Sequence, residues 1–258
     1  MKMTCARRFA EALGSWMHLE ACCFRAGLFS ESSLKSAIGA VASSLRANHA
    51  AARVHADYEL HAIQRVPDAE RKLNGGRKRS VDFALIYDDR REPPSDPEVL
   101  IEAKWAGSSY CSISNLITDF IRLSIMKRAH PGASCLFVLA GHSRDLDAVL
   151  RRRPFAPGGR GSINCVGGGS IRKFRFMPSD RGHRRYFGAA ISAFHGANID
   201  VPVAFDISAS SPYPPLPAKF RAVAWEVKAV DQKNLNPGDW PKPRIKKAAN
   251  ILVEDAIV

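Results

Sequence analysis

The sequence predicts an α/β fold, and three features of its pattern lead to that prediction. Apolar residues first recur at helical spacing, then alternate strictly with polar residues, and then form short, almost wholly apolar runs. The 258 residues are 46% apolar, which is enough to bury a sizeable core. Helical and strand-like segments that mix along a chain of this length pack in layers around a sheet. We therefore expect one large domain, or one domain with an appended half.

Two helices and a strand are predicted first. Residues 4–28 place apolar side chains on one stripe, which indicates a helix. A second helix begins at an N-cap, Ser30 or Ser32, and is expected to end near Asn48. Residues 54–63 alternate between apolar and polar side chains, as in a strand with one buried face.

Two strands, a helix and another strand are predicted next. Residues 81–87 (VDFALIY) and 99–105 (VLIEAKW) are apolar except for a few charged positions. Residues 113–127 have an apolar helical face, and residues 135–140 (CLFVLA) are typical of a fully buried strand. A short helix over residues 143–150, capped by its first serine, closes this part of the chain. The predicted order is helix, three strands, helix, strand.

The composition changes after residue 150. Residues 151–185 are rich in Arg and Gly, and residues 211–217 are rich in Pro. Loops and short strands are expected here, with strands at 171–176, 202–208 and 221–230. We therefore predict a core with N-terminal helices over residues 1–150, and a basic extension over residues 151–258 that packs on the same domain.

The charge of the chain favours an acidic polymer as its partner. Lys and Arg number 38 against 25 Asp and Glu, a net charge of +13, and neutralising phosphates releases counterions. A basic but otherwise ordinary protein is the other explanation. We predict a nucleic-acid-binding surface that includes Arg77, Lys78, Arg79, Arg172, Lys173, Arg175, Arg184 and Arg185. Interleaved aromatic residues could stack on bases or could simply be buried beneath a solvated face, namely Phe174, Phe176, Tyr186 and Phe187.

The cysteines and the hydropathy predict a cytoplasmic protein. Six cysteines are scattered without a Cys-x-x-Cys pair, which indicates a reducing compartment. No run approaches 18 uninterrupted apolar residues, so no membrane span is predicted. Glu11, His18 and Glu20 interrupt the N-terminal apolar stretch, which argues against a signal peptide.

Three charged residues in the two apolar runs carry the functional prediction. Glu102 and Lys104 are two positions apart, so in a strand they lie on the same side. The preceding strand contains Asp82 as its one charged residue. Buried carboxylates on neighbouring strands repel one another unless a cation lies between them. Two acids for a hard divalent metal and an amine for developing negative charge are the groups that phosphodiester hydrolysis needs.

In these residues the chain resembles the PD-(D/E)XK nuclease superfamily. The matching residues are Asp82 in SVDFALI and Glu102-Ala103-Lys104 in VLIEAKW, and the resemblance covers roughly residues 31–140. It implies a restriction-endonuclease-like core, in which a mixed central β-sheet is flanked by helices in the order αβββαβ, here with extra C-terminal strands and loops. It also implies that Asp82 and Glu102 bind Mg²⁺ or Mn²⁺, that the Ala103 carbonyl assists, and that Lys104 is catalytic.

One position departs from the family pattern, because Val81 stands where the motif has Pro. Some family members add a glutamate from the first helix or first strand, and Glu31 and Glu59 are the candidates. Glu31 is otherwise explained by the helix dipole, and Glu59 by a solvated strand face.

The resemblance implies a Mg²⁺-dependent nuclease. We predict an endonuclease that acts on double-stranded DNA, and the sequence leaves open RNA as the substrate and exonuclease action. The alternatives are a nucleic-acid-binding protein on a nuclease-like scaffold that no longer cuts, and a metal-free interaction protein. The oligomeric state is left open, a homodimer included.

A second Glu-x-Lys triplet, Glu226-Val227-Lys228, follows Asp206 at the same spacing. Asp206 precedes a Ser- and Pro-rich stretch, and the residues after Lys228 leave no room for another helix and buried strand. We therefore favour the first triplet and interpret the second as part of an edge strand with one solvated face.

Overall fold

A computed structural model describes residues 4–44, 52–59, 80–87, 96–156, 163, 170–196 and 198–240. The basic residues Arg77, Lys78 and Arg79 lie outside the described residues, as does the predicted end of the first strand.

Five α-helices and seven strands are present in the described part of the chain. The helices are α1 (Cys5–Cys22), α2 (Glu31–Ser44), α3 (Ile113–Ala129), α4 (Ser143–Leu150) and α5 (Arg181–Gly196). Short 3₁₀ turns occur at Ala26–Leu28 and Pro237–Asp239. The strands are β1 (Ala52–Glu59), β2 (Ser80–Tyr87), β3 (Pro97–Ala106), β4 (Ser134–His142), β5 (Arg172–Arg175), β6 (Ala204–Ala209) and β7 (Phe220–Val230). The predicted order of one helix, three strands, one helix and one strand is observed from α2 to β4.

The strands form one mixed sheet in the order β1-β2-β3-β4-β7-β6-β5. Strands β3 and β4 are parallel, with α3 as the crossover between them, and the other neighbouring pairs are antiparallel. The predicted α/β class, with a mixed sheet flanked by helices, is confirmed. Three of the seven strands, β5, β6 and β7, come from the part of the chain after residue 150, and β7 lies against β4.

Helices cover both faces of the sheet. Helices α1 and α2 bury Phe9, Leu13 and Leu34 against one face, and α3, α4 and α5 pack on the other. The alternation of β3 follows this division, because Ile101 and Ala103 join the α1/α2 side while Leu100 and Ala106 join the α3 side. Burial on both faces explains why the central strands are almost continuously apolar. No helix in the described ranges has the length and apolar character that crossing a bilayer requires.

Several sequence predictions need correction. Helix α1 ends at Cys22, because Phe24 has φ +59°, which no α-helix continues through. The cap of α4 is His142, whose Nδ1 accepts the Arg144 N–H at 3.2 Å, and not Ser143. Helix α5 was not predicted. Its apolar residues at 187, 190, 191 and 194 do follow helical spacing, but the helix begins at Arg181, within the Arg/Gly-rich segment that suggested loops.

Candidate active site

Strand β3 directs Glu102 and Lys104 toward helix α3. The two residues alternate with Ile101 and Ala103, whose side chains pack on the opposite face. The Glu102 side chain is 3% exposed and the Lys104 side chain 15% exposed. The period-2 prediction therefore holds, and the two groups lie on one face of a buried central strand.

Asp82 lies where strands β2 and β3 separate. Their register pairs Ala84 with Leu100 and Phe83 with Ile101, so one further step places Asp82 opposite Glu102. In place of a backbone ladder bond, the Asp82 Oδ2 accepts the Ala103 N–H at 2.8 Å. Residues opposite each other in an antiparallel pair share a face, so two carboxylates from neighbouring strands meet here.

A lysine from α2 contacts the same carboxylate. The Lys35 Nζ lies 2.6 Å from the Asp82 Oδ1, and the Asp82 side chain is only 10% exposed. Both oxygens of Asp82 are therefore engaged, one by an ammonium and one by a backbone amide.

Helix α3 contributes two charged residues that we did not predict from the sequence. The Arg122 Nη1 donates to the Glu102 Oε1 at 2.5 Å and lies 3.3 Å from the Asp119 Oδ1. The Asp119 Oδ2 lies 3.5 Å from the Lys104 Nζ. A usable signal was present, because Asn115, Thr118, Asp119 and Arg122 form a polar stripe at helical spacing on an otherwise apolar helix.

These groups line a cavity of about 570 Å³. Among the described residues that line it, five are acidic and three are basic, an excess of acids in a protein whose net charge is +13. The acids are Glu31, Asp57, Asp82, Glu102 and Asp119, and the cations are Lys35, Lys104 and Arg122.

Burial and the negative charge of neighbouring carboxylates make two of the acids, Glu102 and Asp119, harder to ionise. Burial, with the negative charge of Asp119, raises the pKa of Glu102 to about 8, although Arg122 opposes the shift. Burial likewise raises the pKa of Asp119 above its ordinary value, against the opposing effects of Arg122 and Lys104. A cation entering the cavity would therefore relieve an unfavourable concentration of carboxylates.

The carboxylates have the opposite effect on the cations. Burial alone would lower the pKa of Lys104, but Asp119, Glu102 and Asp82 outweigh it, and the net pKa lies above its ordinary value. The pKa of Lys35 is raised in the same way, with Asp82 outweighing burial. Lys104 is therefore held as an ammonium, which suits it to stabilising negative charge and not to accepting a proton.

Of the two predicted accessory acids, Glu31 lines the cavity. Glu59 is not among the described residues of its wall, where Asp57 is found. The register pairs Ala56 with Phe83 and Tyr58 with Val81, so Asp57 lies opposite Asp82. Asp57 has φ +49°, a left-handed conformation that Asp tolerates better than most residues. The alternating pattern of this strand gave no sign of that irregularity.

The predicted nucleic-acid-binding residues that the structure describes lie apart from this cavity. Arg172, Lys173 and Arg175 are exposed on β5, the edge strand at the far end of the sheet. Four strand spacings of about 4.8 Å separate β5 from β3. Arg184 and Arg185 are exposed on α5. The interleaved Phe174, Phe176 and Phe187 are core residues, at most 3% exposed, so their rings are not available to stack on bases.

The second Glu-x-Lys triplet lies in an interior strand, so its interpretation as an edge strand was wrong. Strand β7 runs between β4 and β6, and Glu226 is buried on the α1/α2 side of the sheet. The Lys228 Nζ lies 2.6 Å from the Glu226 Oε2. Asp206 pairs with Ala229, whereas Ser208 pairs with Glu226. This triplet therefore faces away from the candidate site, and its register partner is not an acid.

Comparison with family models, with curated proteins and with solved structures gives no match for this chain.

Proposed function

We propose that this protein is a metal-dependent nuclease that hydrolyses phosphodiester bonds in DNA, with Asp82, Glu102 and Lys104 as its catalytic residues. The observation that carries the proposal is that these three side chains, from two adjacent strands, line one acidic cavity in a strongly basic protein. Their arrangement resembles the acid, acid and lysine set of the PD-(D/E)XK nucleases, with the restriction-endonuclease-like order of elements around it.

The donor set fits a hard divalent cation such as Mg²⁺ or Mn²⁺. Asp82 and Glu102 supply carboxylate oxygens, and the backbone of Ala103 lies between them. Among the described residues, no three His, Cys, Asp or Glu side chains form a metal-binding group by themselves. Mg²⁺ in phosphate-processing sites is commonly held by one or two carboxylates together with water and substrate phosphate oxygens, so two acids suffice.

Lys104 and Asp119 have different roles in the proposed reaction. Bound Mg²⁺ supplies polarisation of the scissile phosphate and a more acidic water. The Lys104 ammonium stabilises the negative charge that develops on the phosphate oxygens and orients the attacking water. Asp119 lies 3.5 Å from the Lys104 Nζ and keeps that ammonium charged and in place.

Arg122 and Lys35 hold the two acids in position. Each makes a short ion pair with one of them, Arg122 with Glu102 at 2.5 Å and Lys35 with Asp82 at 2.6 Å. These contacts fix the carboxylate rotamers before a metal binds, and preorganised ligands lose less entropy on binding. The net charge of +13 favours DNA as the polymer that approaches this site.

The same ion pairs favour a second candidate function, a DNA-binding protein that does not cut. Asp82 and Glu102 each have a cationic partner within the chain, so neither requires a metal for neutralisation. Such a protein would bind DNA with a steep dependence on salt concentration and would leave every substrate intact.

A cleavage assay distinguishes the two functions. Duplex, single-stranded and branched DNA are incubated with the protein in Mg²⁺, in Mn²⁺ and in EDTA. The nuclease cleaves at least one substrate with metal and none in EDTA, and Asp82→Asn and Glu102→Gln remove the activity. Lys228→Ala is the matched control, because it alters the other Glu-x-Lys triplet on the opposite face. Salt-dependent binding with no cleavage under any condition would instead favour the second function.

A further inference from the structure

We infer that Tyr110 forms a stacking platform for an unpaired nucleobase beside the catalytic cavity, so that the substrate is DNA with an unpaired nucleotide next to the scissile bond. This inference rests on the proposed nuclease function and specifies the substrate of the same site. It uses a residue to which the sequence analysis gave no role.

Tyr110 lies at the junction of two cavities. It lines the catalytic cavity and also an adjoining cavity of about 510 Å³. Its side chain is 71% exposed, although it is a large aromatic residue. Glu31 and Lys35 line both cavities as well, so a chain that places a phosphate by the catalytic residues would bring its next nucleotide toward the tyrosine ring.

The backbone that carries the ring is held in place. The turn after β3 begins at Gly107, with φ +95°, where an added Cβ would come within 2.8 Å of the Asp145 Oδ2. The Cys111 N–H donates to the Ser108 carbonyl at 3.0 Å, and the Asn115 Nδ2 donates to the Tyr110 carbonyl at 2.9 Å. An exposed ring on a fixed backbone is preorganised for a ligand that stacks on it.

The chemistry of the second cavity matches the edge of a base. Apart from the ring, its described lining is polar and consists of Glu31, Ser32, Lys35, Ser108 and Ser109. This described lining offers no apolar side chain besides the ring for an apolar peptide or a lipid chain to contact. A nucleobase combines one flat apolar face, which stacks on tyrosine, with an edge of donors and acceptors that hydroxyl and charged groups can contact.

A paired base could not use this platform. Both faces of a base inside a duplex are covered by its neighbours, so stacking on a side chain requires that the base leave the helix or be single-stranded already. The subsite therefore favours single strands, flaps and frayed ends over intact duplex.

Binding and fluorescence measurements on the full chain test the inference. The probe is single-stranded DNA carrying one 2-aminopurine, whose fluorescence falls when the base stacks, with a duplex of the same sequence for comparison. Ca²⁺ replaces Mg²⁺ to prevent cleavage. The variants are Tyr110→Ala, Tyr110→Phe, which keeps the ring, and Leu216→Ala, which removes another exposed apolar side chain that is not among the described residues lining either cavity.

We expect Tyr110→Ala to weaken single-strand binding roughly tenfold and to remove the quenching, with duplex binding unchanged. Tyr110→Phe and Leu216→Ala should behave as the wild type. Equal quenching by Tyr110→Ala and wild type, or equal loss of binding to single strand and duplex, would overturn the subsite. Cleavage without any dependence on Tyr110 would leave the nuclease standing and remove the subsite. Quenching that depends on Tyr110, without cleavage in any metal, would support the subsite and contradict the nuclease function.

Discussion

Arg122 donates a 2.5 Å hydrogen bond to the carboxylate of Glu102, and through it helix α3 holds one of the two acids on the sheet. The same guanidinium lies 3.3 Å from Asp119, whose other oxygen faces Lys104. The functional groups of β3 are therefore anchored by the helix that follows it. Variants of these residues separate the contribution of this network to stability from its contribution to catalysis.

Arg122→Ala should destabilise the metal-free protein. Removing the guanidinium leaves two buried carboxyl groups without their shared cation, and breaking a buried ion pair in this way costs about 3 kcal/mol. The loss should be larger at pH 9 than at pH 6, because the carboxyl of Glu102, whose pKa is raised to about 8, is ionised only at the higher pH. Urea unfolding in EDTA at pH 6 and at pH 9 measures the loss of unfolding free energy at each pH.

Two variants serve as controls for Arg122→Ala. Arg25→Ala breaks an exposed pair with Glu20 and should change the free energy of unfolding little. In a Glu102→Gln background, Arg122→Ala should cost less than in the wild type, because the buried charge is gone. Additive losses in the double variant would show that the two side chains do not interact.

Glu102 should make the metal-free protein less stable as the pH rises. Its pKa is about 8 in the folded chain, against an ordinary value of 4.5. Between these values the folded state holds a proton that the unfolded state has released, so the free energy of unfolding falls with increasing pH across this window. The contribution of the protonated Glu102 carboxyl to the free energy of unfolding is complete below about pH 4.5 and is lost as the pH rises through about 8.

Glu102→Gln removes the titrating group and should flatten this part of the curve. Urea unfolding of both proteins from pH 5 to pH 9 gives the comparison. Parallel curves for the wild type and the variant would contradict the assigned pKa.

Lys104→Ala should abolish most of the cleavage while leaving the fold and the metal affinity near those of the wild type. The loss of one preorganised charge that stabilises the transition state lowers kcat roughly 10²- to 10³-fold. Lys228→Ala, in the second triplet, should cleave as the wild type does. Single-turnover cleavage at saturating protein isolates the chemical step, and an unchanged rate for Lys104→Ala would refute its catalytic role.

Asp57 and Glu59 offer a matched pair for the accessory acid. Asp57 lines the cavity opposite Asp82, so Asp57→Asn should weaken Mn²⁺ binding while keeping a side chain that tolerates φ +49°. Glu59→Gln should leave Mn²⁺ affinity unchanged. Calorimetric titration with Mn²⁺ measures the affinity of both variants. Weaker Mn²⁺ binding by Glu59→Gln, with unchanged binding by Asp57→Asn, would restore Glu59 as the accessory acid.

The central strands and their charged positions could be predicted because side chains two positions apart in a strand lie on the same face. Glu102 and Lys104 lie on one face for that reason, and the apolar sequence around them indicated burial. Asp119 and Arg122 were missed because a polar stripe on a helix can face either solvent or a buried acid. Only tertiary packing, with α3 across β3, decides which.

Lys35 and Asp57 illustrate two other limits of the sequence. Lys35 reaches Asp82 from a helix that packs mainly on the opposite side of the sheet, a relation that no local pattern contains. Asp57 joins the cavity through an irregular backbone, whereas strict alternation had treated β1 as regular. The basic residues of β5 and α5 were assigned to a nucleic-acid-binding surface by charge alone, and charge does not specify position.

The proposed nuclease function requires that Asp82 and Glu102 share one divalent metal ion. Crystals of the protein soaked in Mn²⁺ test it through an anomalous difference map. We expect one strong peak between the two carboxylates, within about 2.0–2.5 Å of an oxygen from each, and its loss in Asp82→Asn crystals. A map without a peak there, or with manganese bound only elsewhere in the protein, would contradict it.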